Sequence, residues 1–194
     1  MGTTRGRARQ AFALHIALSG VLLACRFAFP LNPNLDINQY AHTAWKTREG
    51  FTRGNIQAIA QTPDGYLWLG TDFGLLRFDG VKNVPWQPPA GQHLPSESIG
   101  SLLLARDGTL WIGALKGLAS WKDGRLTQYP EFADQYVFRE GIVEDEEGII
   151  WVGGIGSTAG KLCAIQNGKA DCYGRDGRFG RGVTGLFESS NGSL

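Results

Sequence analysis

Ile56–Gly80 reads IQAIAQTPDGYLWLGTDFGLLRFDG and Ile99–Gly124 reads IGSLLLARDGTLWIGALKGLASWKDG. Laid over one another, both run as an apolar stretch, Asp-Gly, one residue, then Leu-Trp-aliphatic-Gly. A short turn, a second apolar stretch and another Asp-Gly follow. A looser third copy starts at Phe138 (FREGIVEDEEGIIWVGGIGSTAGKLCAIQNG), and a fourth starts at Val183 (VTGLFESSNGSL). Trp68, Trp111 and Trp151 recur at spacings of 43 and 40 residues. Gly65, Gly108, Gly148 and Gly192 recur at 43, 40 and 44. A fixed period of this length is the signature of a repeat architecture.

One period holds four short strands. Ile99–Ala105 is a first apolar run. Asp107-Gly108 predicts a tight type I′ hairpin, whose central residues must tolerate positive φ. Thr109–Ala114, Leu118–Lys122 and Arg125–Tyr129 supply three more strands, parted by Lys116-Gly117 and Asp123-Gly124. Four strands in 40 to 44 residues is the size of one propeller blade. The expected fold is therefore all-β, with blades of four antiparallel strands forming an incomplete propeller of about three and a half blades. Residues 56–98, 99–136 and 137–182 form three blades, and 183–194 begin a truncated fourth behind a lead-in over 31–55. Propellers close with about four to eight blades, so the expectation is an open arc belonging to a longer protein. Trp68, Trp111 and Trp151 read as packing between blades, with ligand stacking as the other role. Gly70, Gly113 and Gly153, two residues later, allow a bend or a close approach.

The composition agrees with a turn-rich β protein. The chain has 194 residues, 42% of them hydrophobic, with 28 Gly, 6 Trp and 1 Met. A formal net charge of +1 offers no electrostatic footprint for nucleic acid. Residues 1–30 read as a signal peptide or N-terminal anchor. Arg5, Arg7 and Arg9 precede the apolar run Ala11–Ala24, which suits a signal h-region and falls short of a membrane span. Leu22-Leu23-Ala24-Cys25 resembles a lipobox, which would make Cys25 a lipidation site. Cleavage, retention as an anchor and lipidation all remain open, and each implies export.

Cys163 and Cys172 flank Asn167-Gly168 symmetrically. A two-residue hairpin pairs Gln166 with Lys169, Ile165 with Ala170, Ala164 with Asp171 and Cys163 with Cys172. The cysteines then meet at a non-hydrogen-bonded position, within disulfide range. A cross-strand disulfide suits an exported protein, and two free buried thiols are the alternative. The same counting sets Leu75 opposite Val84 and Ala119 opposite Gln128.

No catalytic or metal constellation stands out. His15, His42 and His93 are isolated, and neither they nor the cysteines have metal-site spacing. Gly153-Gly154-Ile155-Gly156 lacks the Lys-Ser/Thr pair of a phosphate loop and reads as turn chemistry. Asp64, Asp79, Asp107 and Asp123 each precede Gly, where Asp is chosen for turn geometry. The run Glu144–Glu147 reads as a solvated hairpin tip, with a calcium site as the lesser alternative. Ligand contacts are expected on two loops that depart from the repeat. One carries Trp86 and His93 between blades 1 and 2. The other, Gly174–Gly182, carries Arg175, Arg178 and Phe179.

The stretches Gln57–Gly80 and Ser101–Gly113 resemble two-component-regulator propeller repeats, found in the exported sensor regions of bacterial hybrid histidine kinases. Asp36–Phe51, with Tyr40 and Trp45, is similar to the lead-in of such regions. The resemblance spans roughly residues 35 to 194, and weakens in the third copy, where Glu147 replaces the turn Asp. It implies a ligand-sensing module on the periplasmic side of the inner membrane, in a parent that signals by phosphorelay and is dimeric. It also implies an unknown small molecule or oligosaccharide as ligand, and membrane attachment through the N-terminal segment or a later transmembrane helix. No cofactor is expected in the chain itself; ATP and Mg would serve only the parent's kinase domain. Two alternatives stand beside this reading: the same sensor on a diguanylate cyclase or helix-turn-helix regulator, or a secreted propeller lyase or glycosidase.

Overall fold

A computed structural model describes residues 44–46, 51–174, 176–189 and 192. The segment 1–30 with Cys25, most of the lead-in including His42, and Arg175 lie outside the described residues.

Strands β1 (Ile56–Gln61), β2 (Leu67–Thr71), β3 (Gly74–Phe78) and β4 (Asn83–Pro85) form one antiparallel sheet in sequence order. β5 (Ile99–Leu104), β6 (Leu110–Ala114), β7 (Gly117–Lys122) and β8 (Arg125–Tyr129) repeat it. A third sheet runs β10 (Ile142–Glu144), β11 (Ile150–Gly156), β12 (Lys161–Gln166) and β13 (Lys169–Tyr173), with β9 (Gln135–Tyr136) paired to the end of β11. Among the described residues the helical content is one 3-10 turn, Pro130–Phe132. The three sheets are the expected propeller blades, and they do not close on themselves.

Alternating strand direction sorts the connections. The turns at Gly65, Gly80, Gly108, Gly124, Gly148 and Gly168 lie at one end of their blades. The β2–β3 and β6–β7 turns and the loops between blades lie at the other, hereafter the loop end.

The repeated tryptophans occupy equivalent places. Trp68 pairs with Ala60 and Arg77, Trp111 with Leu103 and Ser120, and Trp151 with Val143 and Ala164. Each indole meets an aromatic ring from the end of its own fourth strand: Trp86 at 5.6 Å, Tyr129 at 5.2 Å and Tyr173 at 6.4 Å. In blades 1 and 2 the tryptophan face then packs on the succeeding blade. Trp68 and Leu75 join Ile99, Leu110 and Ile112 in one core, while Trp111, Leu118 and Tyr129 join Ile150, Val152 and Cys163 in the next. Burying each such aliphatic side chain contributes about 1.5–3 kcal/mol, so the interfaces between blades hold the fold together.

Gly70, Gly113 and Gly153 have a shared reason. A Cβ at Gly70 would lie 2.8 Å from Ile99 Cγ2, at Gly113 2.6 Å from Val137 Cγ1, and at Gly153 2.8 Å from Val183 Cγ1. In each case the intruder is the first aliphatic residue of the following repeat, seated in a hole that only glycine leaves open.

Three sequence expectations change. The Asp-Gly turns at 64–65 and 107–108 are not type I′. Gly65 N–H donates to Thr62 O and Gly108 N–H to Ala105 O, both at 2.9 Å, and only the glycines have positive φ (87° and 83°). These are three-residue loops, a type I turn followed by a left-handed glycine. The two-residue type I′ form does occur at Asp123-Gly124 (φ 47° and 79°) and Asn167-Gly168 (φ 51° and 74°). In blade 1, Val84 pairs with Arg77, not Leu75. The reason is a four-residue loop at 79–82, where Asp79 N–H donates to Lys82 O at 3.2 Å, so the register lengthens by two. Ala119 does face Gln128. Finally, Gly153–Gly156 is not a turn but the end of β11. Gly154 and Gly156 make room there for Gln135, which is fully buried.

Candidate functional site

A cleft of about 850 Å³ lies at the loop end, between blade 1 and the loop leading to blade 2. Its wall includes Phe51, Arg53, Phe73, Trp86, His93 and Glu97. Blade 1's β2–β3 turn forms the floor. Thr71 Oγ1 donates to Gly74 O at 2.8 Å and accepts from Phe73 N–H at 3.1 Å, leaving the Phe73 ring 63% exposed. On the far side, the loop is pinned to blade 2. Gln92 Oε1 accepts the Leu126 N–H at 2.6 Å, and Gln128 Nε2 donates to His93 O at 2.7 Å and approaches His93 Nδ1 at 3.2 Å. Against the sheet edge, Phe51 and Trp45 from the lead-in close edge-on over Phe78, with ring centres 5.2 and 5.0 Å away. The result is an aromatic-walled depression with amide, imidazole, carboxylate and guanidinium groups around its rim. That mixture suits a polar organic molecule with at least one flat apolar face.

Trp86 and His93, singled out in the sequence, both line this cleft. Trp86 has a second role there. Its ring stands edge-on between Trp68 and Trp121, at 5.6 and 4.9 Å, so it is blade 1's counterpart of Tyr129 and Tyr173. The spacing of Trp86, Tyr129 and Tyr173, 43 and 44 residues, carried that signal. Phe51, Arg53, Phe73 and Glu97 were not singled out, because the cleft is assembled by the turn and lead-in of blade 1 rather than by a motif.

The second predicted loop does not reach this cleft: no described residue of Gly174–Gly182 lines it. Arg178 grips the Asp176 carboxylate through Nε at 2.8 Å and Nη2 at 2.6 Å, an exposed pair. Phe179 lies against Gly174, where a Cβ would meet the ring at 2.3 Å. Gly156 N–H donates to Arg181 O at 3.0 Å, tying the loop back to β11.

Cys163 and Cys172 are directly paired across β12 and β13 and joined by a disulfide, with Cα atoms 4.1 Å apart. Cys163 is fully buried in the interface between blades 2 and 3. Among the described residues no three His, Cys, Asp or Glu side chains gather as they would around a metal ion, and no helix is long and apolar enough to cross a membrane. Of the acidic run, Glu144 and Asp145 point into the repeat. Asp145 Oδ2 accepts the Trp151 indole N–H at 2.7 Å, and Glu144 Oε2 accepts the Arg106 backbone N–H at 2.7 Å.

Three successive antiparallel sheets, two of four strands and one of five, packed in series, define a β-propeller fold. Residues 50–73 and 93–116 match the family model for the two component regulator propeller. The chain is similar in fold to the extracellular domains of two putative hybrid two-component systems from B. thetaiotaomicron. With one it shares 20% identity over 71% of this chain, at a TM-score of 0.58, and with the other 19% over 69%, at 0.54. It spans only 19% and 20% of those chains. A virginiamycin B lyase from Staphylococcus aureus, solved as an inactive variant with quinupristin, shares the fold at 18% identity and a TM-score of 0.52, over 71% of this chain and 46% of that one. No curated protein matches the chain.

Proposed function

We propose that the chain is an exported, ligand-sensing propeller module of a membrane-bound two-component sensor. The observation that carries this reading is the pair of two-component-regulator repeats folded as consecutive blades with an open cleft at their loop end. The basic and apolar N-terminal segment and the Cys163–Cys172 disulfide support a periplasmic location, since structural disulfides persist in oxidising compartments. The ligand is a small molecule or oligosaccharide seated against Phe73 and His93. Its binding alters how the propeller presents itself to a dimeric parent, whose histidine kinase domain, using ATP and Mg, answers by phosphorelay.

Two measurements test this. Alkaline phosphatase fused after Leu194 is active in a bacterial host if the chain is exported, and an inactive, stably expressed fusion overturns export. A thermal-shift screen of oligosaccharides and small metabolites gives a ligand whose stabilisation falls at least tenfold in potency in Phe73→Ala and His93→Ala. A ligand indifferent to both substitutions overturns the cleft.

A further inference from the structure

The innermost strands of the three blades carry one irregularity that the repeat does not require. Counting back six residues from the turn glycines Gly65, Gly108, Gly148 and Gly192 aligns Ile59, Leu102, Ile142 and Leu186. In blades 1 and 2 the strand's first aliphatic residue, Ile56 or Ile99, lies three positions earlier, with a bulge between. In blade 3 that residue is Val137, the one seated over Gly113, and it lies five positions before Ile142. Blade 3 therefore holds two extra residues in its innermost strand. They are absorbed in the turn Phe138–Gly141, closed by Gly141 N–H to Phe138 O at 3.0 Å.

This turn presents Arg139. Its φ of 47° lies in the left-handed region, which glycine adopts readily and arginine does not. Both its backbone groups are held by blade 2: Arg139 N–H donates to Gly100 O at 2.8 Å, and Ser101 Oγ donates to Arg139 O. The guanidinium lies 4.9 Å from the Phe138 ring centre and has no hydrogen-bond or ion-pair partner among the described residues. It faces a groove of about 570 Å³ along the three inner strands, walled by Ile56, Ile59, Leu102 and Val143. Arg139 is the only cation in that wall. Glu140 and Gln57 are its other long polar side chains, and Gln57 is committed to Asp72 through Nε2 at 3.2 Å. Backbone strain held by a packed neighbour, at an insertion peculiar to one repeat, is a mark of function rather than of folding.

We propose that Arg139 makes this groove a binding site for a small organic carboxylate with an apolar body. A guanidinium fork fits a carboxylate bidentately. The aliphatic walls take the apolar portion. A single cation beside Glu140 favours a monoanion over a phosphate dianion. The site is separate from the cleft at the blade 1–2 loop, so either can fail without the other.

Ligand-detected NMR titration of the 194-residue chain with benzoate tests the proposal, with benzamide as the neutral isostere and sulfate as the bare anion. Benzoate is expected to bind at least tenfold more tightly than either. Arg139→Gly should abolish benzoate binding while raising Tm, because glycine relieves the positive φ. Arg139→Lys should weaken binding at least threefold, and His93→Ala should leave it unchanged. Benzoate binding that survives in Arg139→Gly, or is matched by benzamide or sulfate, overturns the site. A fall in Tm for Arg139→Gly overturns the trade of stability for function.

Discussion

The interface between blades 1 and 2 and the interface between blades 2 and 3 follow one plan and differ in how their polar atoms are satisfied. In blade 1 the Trp68 indole N–H donates to Thr62 Oγ1 at 3.1 Å, three residues before the turn glycine. The same position holds Asp145 in blade 3, which caps Trp151. In blade 2 it holds Ala105, and the buried Trp111 indole N–H has no acceptor among the described residues. A second difference runs the other way. Two residues before the turn glycine, Arg106 donates its backbone N–H to Glu144 of blade 3, whose side chain is only 11% exposed, and Arg106 Nε lies 3.3 Å from the same carboxylate. Glu146 repeats this with Glu188 at 3.1 Å. At the first interface the donor position is Pro63, which has no N–H, and the acceptor position is Leu104. An acid stands four residues before the turn glycine where the preceding blade has an N–H to offer. The comparison teaches that these blades are matched in pairs and are not freely interchangeable.

Trp111→Ala, emptying the middle of the second interface, should destabilise by about 3–5 kcal/mol. Trp151→Ala, at a half-buried indole, should lose less, and equal losses in chemical denaturation would contradict the picture of sequential interfaces. Gly113→Ala should come next, at about 1–3 kcal/mol from overpacking, and should exceed Gly70→Ala because its Cβ has the closer contact. Glu144→Gln should remove about 1–2 kcal/mol, since a charge-assisted bond to a backbone N–H becomes a neutral one. Leu104→Gln, at the interface lacking the donor, should gain nothing from the new amide. Ala105→Ser should stabilise by about 0.5–1 kcal/mol by giving Trp111 its missing acceptor, and an unchanged Tm would mean the hydroxyl turns elsewhere. The smallest effect concerns acid. The backbone N–H groups of Lys82 and then Val81 hold the Asp79 carboxyl below its usual range. Its contribution is full above about pH 4 and fades as pH falls through that lowered value. Asp79→Asn should lower Tm slightly at neutral pH and leave it unchanged at low pH, which flattens the acid arm of a Tm–pH curve.

Much of this was legible in the amino-acid order because it recurs. The tryptophans, their glycines and the turn glycines return at one period, so each copy corroborates the others. The Asn167-Gly168 centre likewise fixed which residues of β12 and β13 face each other. What escaped was whatever a single copy does alone. Nothing local distinguishes Asp64-Gly65, inside a three-residue loop, from Asp123-Gly124, which is a two-residue turn. Loop length there is set by how the flanking strands pair, and the four-residue loop at 79–82 moved Val84 by the same route. Gly154 and Gly156 looked like turn residues because the buried side chain they admit, Gln135, comes from a distant strand. Arg139 was invisible until Val137, not Phe138, was seen to fill the hole at Gly113, which exposes the two extra residues. The cleft draws Phe51, Arg53, Phe73 and Glu97 from three separate stretches, a convergence no spacing announces.

The hole beside Gly70, Gly113 and Gly153 gives the array a direction. Every blade is unfinished until its successor inserts a branched side chain, and nothing in that device lets a blade complete the one after it. Growth by duplication can therefore proceed only if the copied unit brings both socket and plug. Any copied stretch of one whole period carries one of each, whereas a shorter copy that held the glycine without the next branched residue would leave that hole empty.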